Sequence, residues 1–235
     1  MENPKFLKPF WPYYGGKWRA APKYPAPQYQ TIIEPFAGSA GYALRHYQHD
    51  VVLIEKYPVV AEIWRFLIAA KPSEILALPP VICVDDLPKG TCKPARDLVG
   101  FHLNMGNKFP ARTLTKSMQA DPGKHGWNDM RRHRIASQVE AIRHWQIIEG
   151  DYSNAPDIET TWFVDPPYNN KAGSYYPHSN LDYPELADWC RERSGQVIVC
   201  ENEGADWLPF VPHYQMIGTN KLPSHEVIWT NPNAI

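Results

Sequence analysis

Thr161-Trp162-Phe163-Val164-Asp165-Pro166-Pro167-Tyr168 is the stretch on which the reading of the whole chain turns. Its first four residues are β-branched or aromatic and read as a short strand, here running to Asp165. Two successive prolines then fix φ, supply no N–H and hold the residue before them extended. The Asp165 carboxylate and the Pro166 carbonyl therefore form a rigid acceptor ledge, with Pro167 stiffening it and the Tyr168 ring beside it as a stacking surface. Ligands of open α/β sheets sit at the carboxyl ends of strands, which is where this ledge falls. A planar group bearing an NH2 suits it, because such a group can donate two hydrogen bonds. The plain alternative is a strand-ending turn, since Pro and Asp both favour turns.

Working outward, short apolar runs alternate with helical patterns, as in a mostly parallel sheet covered by helices. The 24 prolines among 235 residues punctuate these elements. Strands are expected at Thr31 to Pro35, Val51 to Glu55, Gln146 to Glu149, Thr161 to Asp165, Gln196 to Asn202, His213 to Gly218 and Glu226 to Thr230. Helices are expected at Ala40 to Tyr47, Pro58 to Ala70, Trp127 to His144 and Tyr183 to Glu192, where apolar residues recur at three or four, as in Ile135, Val139 and Ile142. No helix-length connection separates the last two strands, so they must pair as an antiparallel hairpin at one edge. The fold class is thus α/β, with a seven-stranded mixed sheet. Residues 71–126 break the alternation with seven prolines and scattered basic residues, and read as an inserted subdomain with a helix around Arg96 to Leu103. The core is then 1–70 together with 127–235.

Three further motifs carry chemistry. Glu34-Pro35-Phe36-Ala37-Gly38-Ser39-Ala40-Gly41 runs from a strand through small residues, which let a ligand approach the backbone closely; simple packing is the other reading. The next strand ends at Glu55, a position where an acid in a nucleotide-binding α/β fold commonly holds ribose hydroxyls, although an acid at a helix N-terminus would look the same. Tyr13-Tyr14-Gly15-Gly16-Lys17 places paired glycines beside a cation, and Asp151-Tyr152 follows the third strand, where an acid could accept from an amino group or simply form a turn.

Composition narrows the function classes. With 24 basic and 25 acidic side chains and 43% hydrophobic residues, the chain describes one soluble globular unit. The longest apolar runs fall far short of the ~20 residues that cross a bilayer, so no membrane association is expected. Cys83, Cys92, Cys190 and Cys200 lack the close pairing that holds zinc, and a reduced cytoplasm is the expected setting. The charge balance is plus 3 over residues 1–84, plus 5 over 85–145 and minus 9 over 146–235. A polyanion would meet the first two segments, unless these blocks are only solvated faces.

Taken together, Gly15-Gly16-Lys17, Phe36 to Gly41, the 71–126 insert and Asp165 to Tyr168 stand in the order of the N6-adenine DNA methyltransferases of the Dam type, the alpha group of amino-methyltransferases, which the chain resembles along its length. One position departs: the second glycine of F-x-G-x-G is Ala40, with a glycine one place later at Gly41. The resemblance implies a Rossmann-like methyltransferase fold, a target-recognition role for the insert, and S-adenosylmethionine held by Tyr13, Lys17, Phe36, Gly38, Gly41, Glu55, Asp151 and Asp165. It also implies a flipped target adenine of double-stranded DNA held by Asp165, Pro166 and Tyr168. Hydrogen bonds from N6 to Asp165 and the Pro166 carbonyl would localise its lone pair toward the sulfonium methyl, with no metal needed. The segment from Asn169 to Asn180, with Lys171, Tyr175, Tyr176 and His178, reads as a mobile loop that orders over the base. Asn104, Asn107, Arg112, Lys116 and Lys171 are the candidates for DNA contacts, the first four because their donors suit purine edges. An RNA substrate and a non-enzymatic DNA-binding module are the competing readings; a protein-glutamine methyltransferase ranks last, because that family would place Asn where Asp165 stands. The oligomeric state stays open between monomer and weak dimer.

Overall fold

A computed structural model of the chain describes residues 5–104, 106–121, 125–171, 173–217 and 223–231. Seven strands among them form one sheet: β1 (Thr31–Glu34), β2 (Asp50–Glu55), β3 (Gln146–Glu149), β4 (Thr160–Val164), β5 (Gly195–Asn202), β6 (Val211–Ile217) and β7 (Pro223–Thr230). Their order is β3-β2-β1-β4-β5-β7-β6. The first five are parallel, and β7 pairs antiparallel with both β5 and β6. The architecture is α/β with an antiparallel edge hairpin, compatible with a Rossmann-like fold. Of the expected last strands, Gly218 lies outside the described residues.

Alternation along the central strands sorts side chains onto two faces. Ile32, Val51, Leu53, Phe163, Ile198 and Cys200 join one core, whereas Ile33, Val52, Ile54, Trp162, Val164, Val197 and Val199 join the other. Both faces are covered, which is why these strands read as nearly continuous apolar runs. α1 (Pro58–Ala69) starts on a proline suited to a first helical position and buries Val60, Ile63, Trp64 and Leu67 against the first face. On the second face lies α6 (Tyr183–Glu192), capped by Asp182, whose carboxylate accepts the Glu185 N–H at 3.0 Å.

Two expected helices are shorter than the pattern suggests. Between Ala40 and Tyr47 only a 3-10 turn forms, at Ala43–Arg45. Ala40 takes φ of +50°, outside the right-handed helical dihedrals, so a helix cannot run through it; the Ala43 N–H, which a first helical turn leaves without a backbone partner, is accepted by the Glu34 carboxylate at 2.6 Å. The helix expected over Trp127 to His144 breaks into an α-helix at Asp129–Ala136 and a 3-10 turn at Val139–Ile142. At the break, Ser137 Oγ donates back to the Arg134 carbonyl, and the Gln138 amide both accepts from the Lys8 N–H (2.8 Å) and donates to the Lys8 carbonyl (3.0 Å).

Residues 71–126 contribute no strand to the sheet among the described residues; isolated bridges link Val81 to Trp127 and Cys83 to Thr113. In chain order they hold α2 (Pro72–Leu76), α3 (Lys93–Leu103) and α4 (Lys116–Gln119), so the helix expected near Arg96 starts at Lys93; α5 (Asp129–Ala136) follows. Ile75, Leu87, Leu98, Val99, Phe101 and Leu114 merge with the core beneath α1, so this segment thickens one face of the sheet. No helix among the described residues is long and apolar enough to cross a membrane, and the four cysteines are free thiols.

Candidate functional site

β1 and β4 lie side by side, but the chain leaves β1 for β2 on one flank and leaves β4 for β5 on the other. This reversal opens a crevice beyond their carboxyl ends, the usual ligand position in such sheets. Here the crevice is a cleft of about 780 Å³, its open mouth included. Tyr13, Lys17, Phe36, Gly38, Gly41, Glu55, Asp151 and Asp165, the eight residues singled out in the sequence, all line it. Pro167 lines it as well, with its carbonyl accepting from the Tyr183 hydroxyl at 2.8 Å. Pro166 is buried, and Pro166 and Tyr168 are not part of the wall.

The loop after β1 is held by both sides of its backbone. Gly38 donates its N–H to Glu55 Oε2 at 2.8 Å, and its carbonyl accepts from the Trp64 indole at 2.8 Å. At φ +47° it adopts the left-handed conformation that glycine tolerates, and a Cβ there would stand 3.2 Å from the Tyr13 ring. Ala40 shares the left-handed backbone where the family pattern has glycine, while Gly41 presses against the backbone of Lys17 and Trp18, where a Cβ would clash. The shifted glycine therefore still serves a close approach, between the loop and the N-terminal segment.

Glu55 receives a second N–H, from Tyr57 at 2.8 Å on Oε1. The Lys56 N–H is a third donor, and since a carboxylate offers about four lone-pair sites, about one remains for a ligand. Burial outweighs these donors and pushes the Glu55 pKa up to about 7. Glu34, at the end of β1, is pushed by burial to about 8 despite the bonds from Ala43 and Tyr42. On the opposite rim, Asp151 is engaged with Lys56 at 2.6 Å and with the Ser153 N–H at 3.4 Å, and the Phe36 and Tyr152 rings lie 5.6 Å apart.

Lys17 is buried, and its ammonium stands 2.8 Å from Asp165 Oδ1, 4.0 Å from Glu226 Oε1 and 4.6 Å from the centre of the Tyr168 ring. Burial opposes its charge, yet Asp165 and Glu226 hold its pKa above the ordinary lysine value. For Asp165, burial dominates over Lys17 and, with Glu226 and Glu201 nearby, lifts the pKa to about 6. Lys17 is thus the partner of the ledge aspartate. Tyr168, expected as a stacking face, is tethered through its hydroxyl to Glu226 at 2.7 and 2.9 Å.

The nucleic-acid candidates do not converge. Asn107 reaches the cleft rim, its carbonyl accepting from the Tyr14 N–H at 3.3 Å, whereas Arg112 is paired with Asp85. Asn104 follows α3, Lys116 opens α4, and Lys171 is exposed in the loop after the ledge. Tyr176 of that loop crosses the mouth, its hydroxyl donating to the Tyr14 carbonyl at 2.9 Å. Glu226 and Tyr24 were given no binding role by sequence reasoning, whereas Tyr176 belongs to the loop expected to order over the base. For Glu226 a signal existed, a carboxylate beside Val227 and Ile228 in an apolar strand, since buried charges are rarely unpaired. No protein-family model and no curated protein matches the chain.

Proposed function

We propose that the chain is an S-adenosylmethionine-dependent methyltransferase acting on N6 of adenine in double-stranded DNA, with residues 71–126 as its target-recognition insert. The single observation that carries this reading is the switch-point cleft in which Asp165, on its Pro-Pro ledge, faces Lys17, Glu55 and the Gly38 loop.

The polar groups of the cleft support the cofactor. Burial keeps Glu34 protonated up to about pH 8 and Glu55 up to about 7, so near neutral pH the carboxylates of Asp151 and Asp165 stand against Lys17 and Lys56. The lone pair left on Glu55 would take a ribose hydroxyl, Asp151 and the Phe36–Tyr152 wall would take the adenine end, and the Lys17 region the methionyl end. When bound, the cofactor supplies a methyl group activated on a positively charged sulfur. Asp165 would accept from the flipped N6 amino group, aim its lone pair and stabilise the charge that develops on nitrogen. Lys17 holds the Asp165 carboxylate in place, and Tyr176 across the mouth restricts water. The ionised form of Asp165 is the acceptor, so the rate should fall as pH drops through about 6.

Sequencing that detects methylated adenine, applied to DNA from cells expressing the protein, tests the reading. Methylated adenine at a defined site is expected in wild-type samples and absent with Asp165→Ala. Cofactor consumption on RNA with none on DNA would move the substrate to RNA, and consumption on neither would sink the proposal.

A further inference from the structure

Glu226 lies on β7, is 4% exposed, and is separated from the Gly15-Gly16-Lys17 motif by almost the whole chain. Its carboxylate accepts from two phenols: Tyr168 at 2.9 Å on Oε1 and 2.7 Å on Oε2, and Tyr24 at 3.0 Å on Oε2. The Lys17 ammonium is 4.0 Å away on the side facing Asp165. Burying a carboxylate costs more than burying an apolar side chain of the same size, and only such bonds and a nearby cation offset that cost.

We infer that Glu226 is a positioning residue of the Asp165 site, clamping the Tyr168 ring beneath Lys17 and sharing the Lys17 charge with Asp165. The inference rests on the methyl-transfer reading for its kinetic consequence only. The two prolines fix the backbone before Tyr168 but leave its side-chain torsions free. Anchoring the hydroxyl at the far end of the ring fixes χ1, so the ring keeps one place beneath the Lys17 ammonium that pairs with Asp165. Glu226 is also the second anion on one ammonium, so its charge raises the proton affinity of Asp165. The groups that face it are Lys17, Tyr24, Asp165 and Tyr168, together with Cys200 and Glu201 from β5 and His213 and Tyr214 from β6. His213 is kept neutral at pH 7 by burial, and Lys23 sits farther out over the Tyr214 ring. Among the described residues, Lys17 is therefore the cation that Glu226 and Asp165 share.

Tyr168→Phe removes the hydroxyl that Glu226 holds, whereas Glu226→Gln removes the charge and keeps one amide oxygen as acceptor. Carboxyl-carbon NMR should show Asp165 titrating at lower pH in Glu226→Gln than in wild type, and three-bond couplings should show χ1 of residue 168 averaging over rotamers in Tyr168→Phe. Methyl transfer by Glu226→Gln should drop about 10- to 100-fold in kcat, as misplacement of a reacting group does, with the acid limb of its pH profile displaced downward. The double variant should lose no more than the worse single one. An unmoved Asp165 titration in Glu226→Gln, a single χ1 rotamer at residue 168 in Tyr168→Phe or additive losses would overturn the inference. Should wild type transfer no methyl group, the functional reading fails, while the two NMR measurements still decide the role of Glu226. If Glu226→Gln does not fold, Tyr168→Phe keeps the test: χ1 of residue 168 should average over rotamers once the hydroxyl anchor is gone, and a single fixed rotamer overturns the inference.

Discussion

A buried ion pair is far more costly to halve than to keep. Lys17→Ala leaves Asp165 and Glu226 without their cation, so it should lower unfolding stability by about 3–5 kcal/mol as well as weaken cofactor binding. Lys17→Met combined with Asp165→Asn should recover much of the stability and none of the activity. Urea denaturation alongside calorimetric titration of S-adenosylmethionine separates the two effects, and a Lys17→Ala protein as stable as wild type would contradict the buried pairing. Asp165→Ala should cut methyl transfer about 100- to 1,000-fold. Tyr168→Ala should be milder, because it removes the ring beneath Lys17 and leaves the Asp165 acceptor in place; a loss as large as that of Asp165→Ala would mean their roles are misassigned. Glu34 binds its proton up to about pH 8 in the folded state against 4.5 as the ordinary value. The folded protein thus holds the extra proton between those limits, and its contribution to stability declines as pH rises through them, by at most about 1.4 kcal/mol per pH unit. Glu34→Gln keeps an acceptor for the Ala43 N–H and should flatten that decline; identical stability differences between pH 5 and pH 8 in both proteins would rule the idea out.

Helix α3 ties residues 71–126 to the sheet by burying Leu98, Val99, Phe101 and Leu103 in the core it shares with α1. Leu98→Ala should therefore cost about 2–5 kcal/mol of global stability and shift one cooperative transition. Two separate transitions, with only the first shifted, would mean that the segment folds on its own. The same scale shows where pattern reading ends. α1 was legible because its apolar residues recur at three and four with a proline at the start. The break after Ala136 was not, because a 3-10 turn keeps side chains at i and i+3 aligned, so Ile135, Val139 and Ile142 carry the apolar pattern straight across it. Between Ala40 and Tyr47 the small residues look helical, and it is the left-handed backbone at Ala40, with Gly41 pressed against Lys17 and Trp18, that cuts the helix short.

Across the whole molecule the uneven charge still predicts salt-sensitive binding to duplex DNA, but less steeply than segment totals suggest. Arg112 and Lys93 are spent on Asp85 and Asp97, while Arg134 and Arg143 donate to backbone carbonyls. With Lys5, Lys8 and Arg19 among those left to meet phosphates, the slope of log affinity against log salt should be shallow, about −2 to −4. Fluorescence anisotropy from 50 to 300 mM salt measures it, and a slope near zero would remove DNA from the basic segments.

By itself the sequence determined what local physics controls: period-two alternation and β-branched runs set the strands, the missing crossover set the antiparallel hairpin, and motifs at strand ends set where the cleft opens. Only the tertiary structure decided what each charge in that cleft faces. Lys17 meets Asp165 across 148 positions of chain, and Glu226 meets Tyr168 across 58. No periodicity encodes such meetings, because they depend on which strands lie side by side and on how far burial raises the cost of a charge left without a partner.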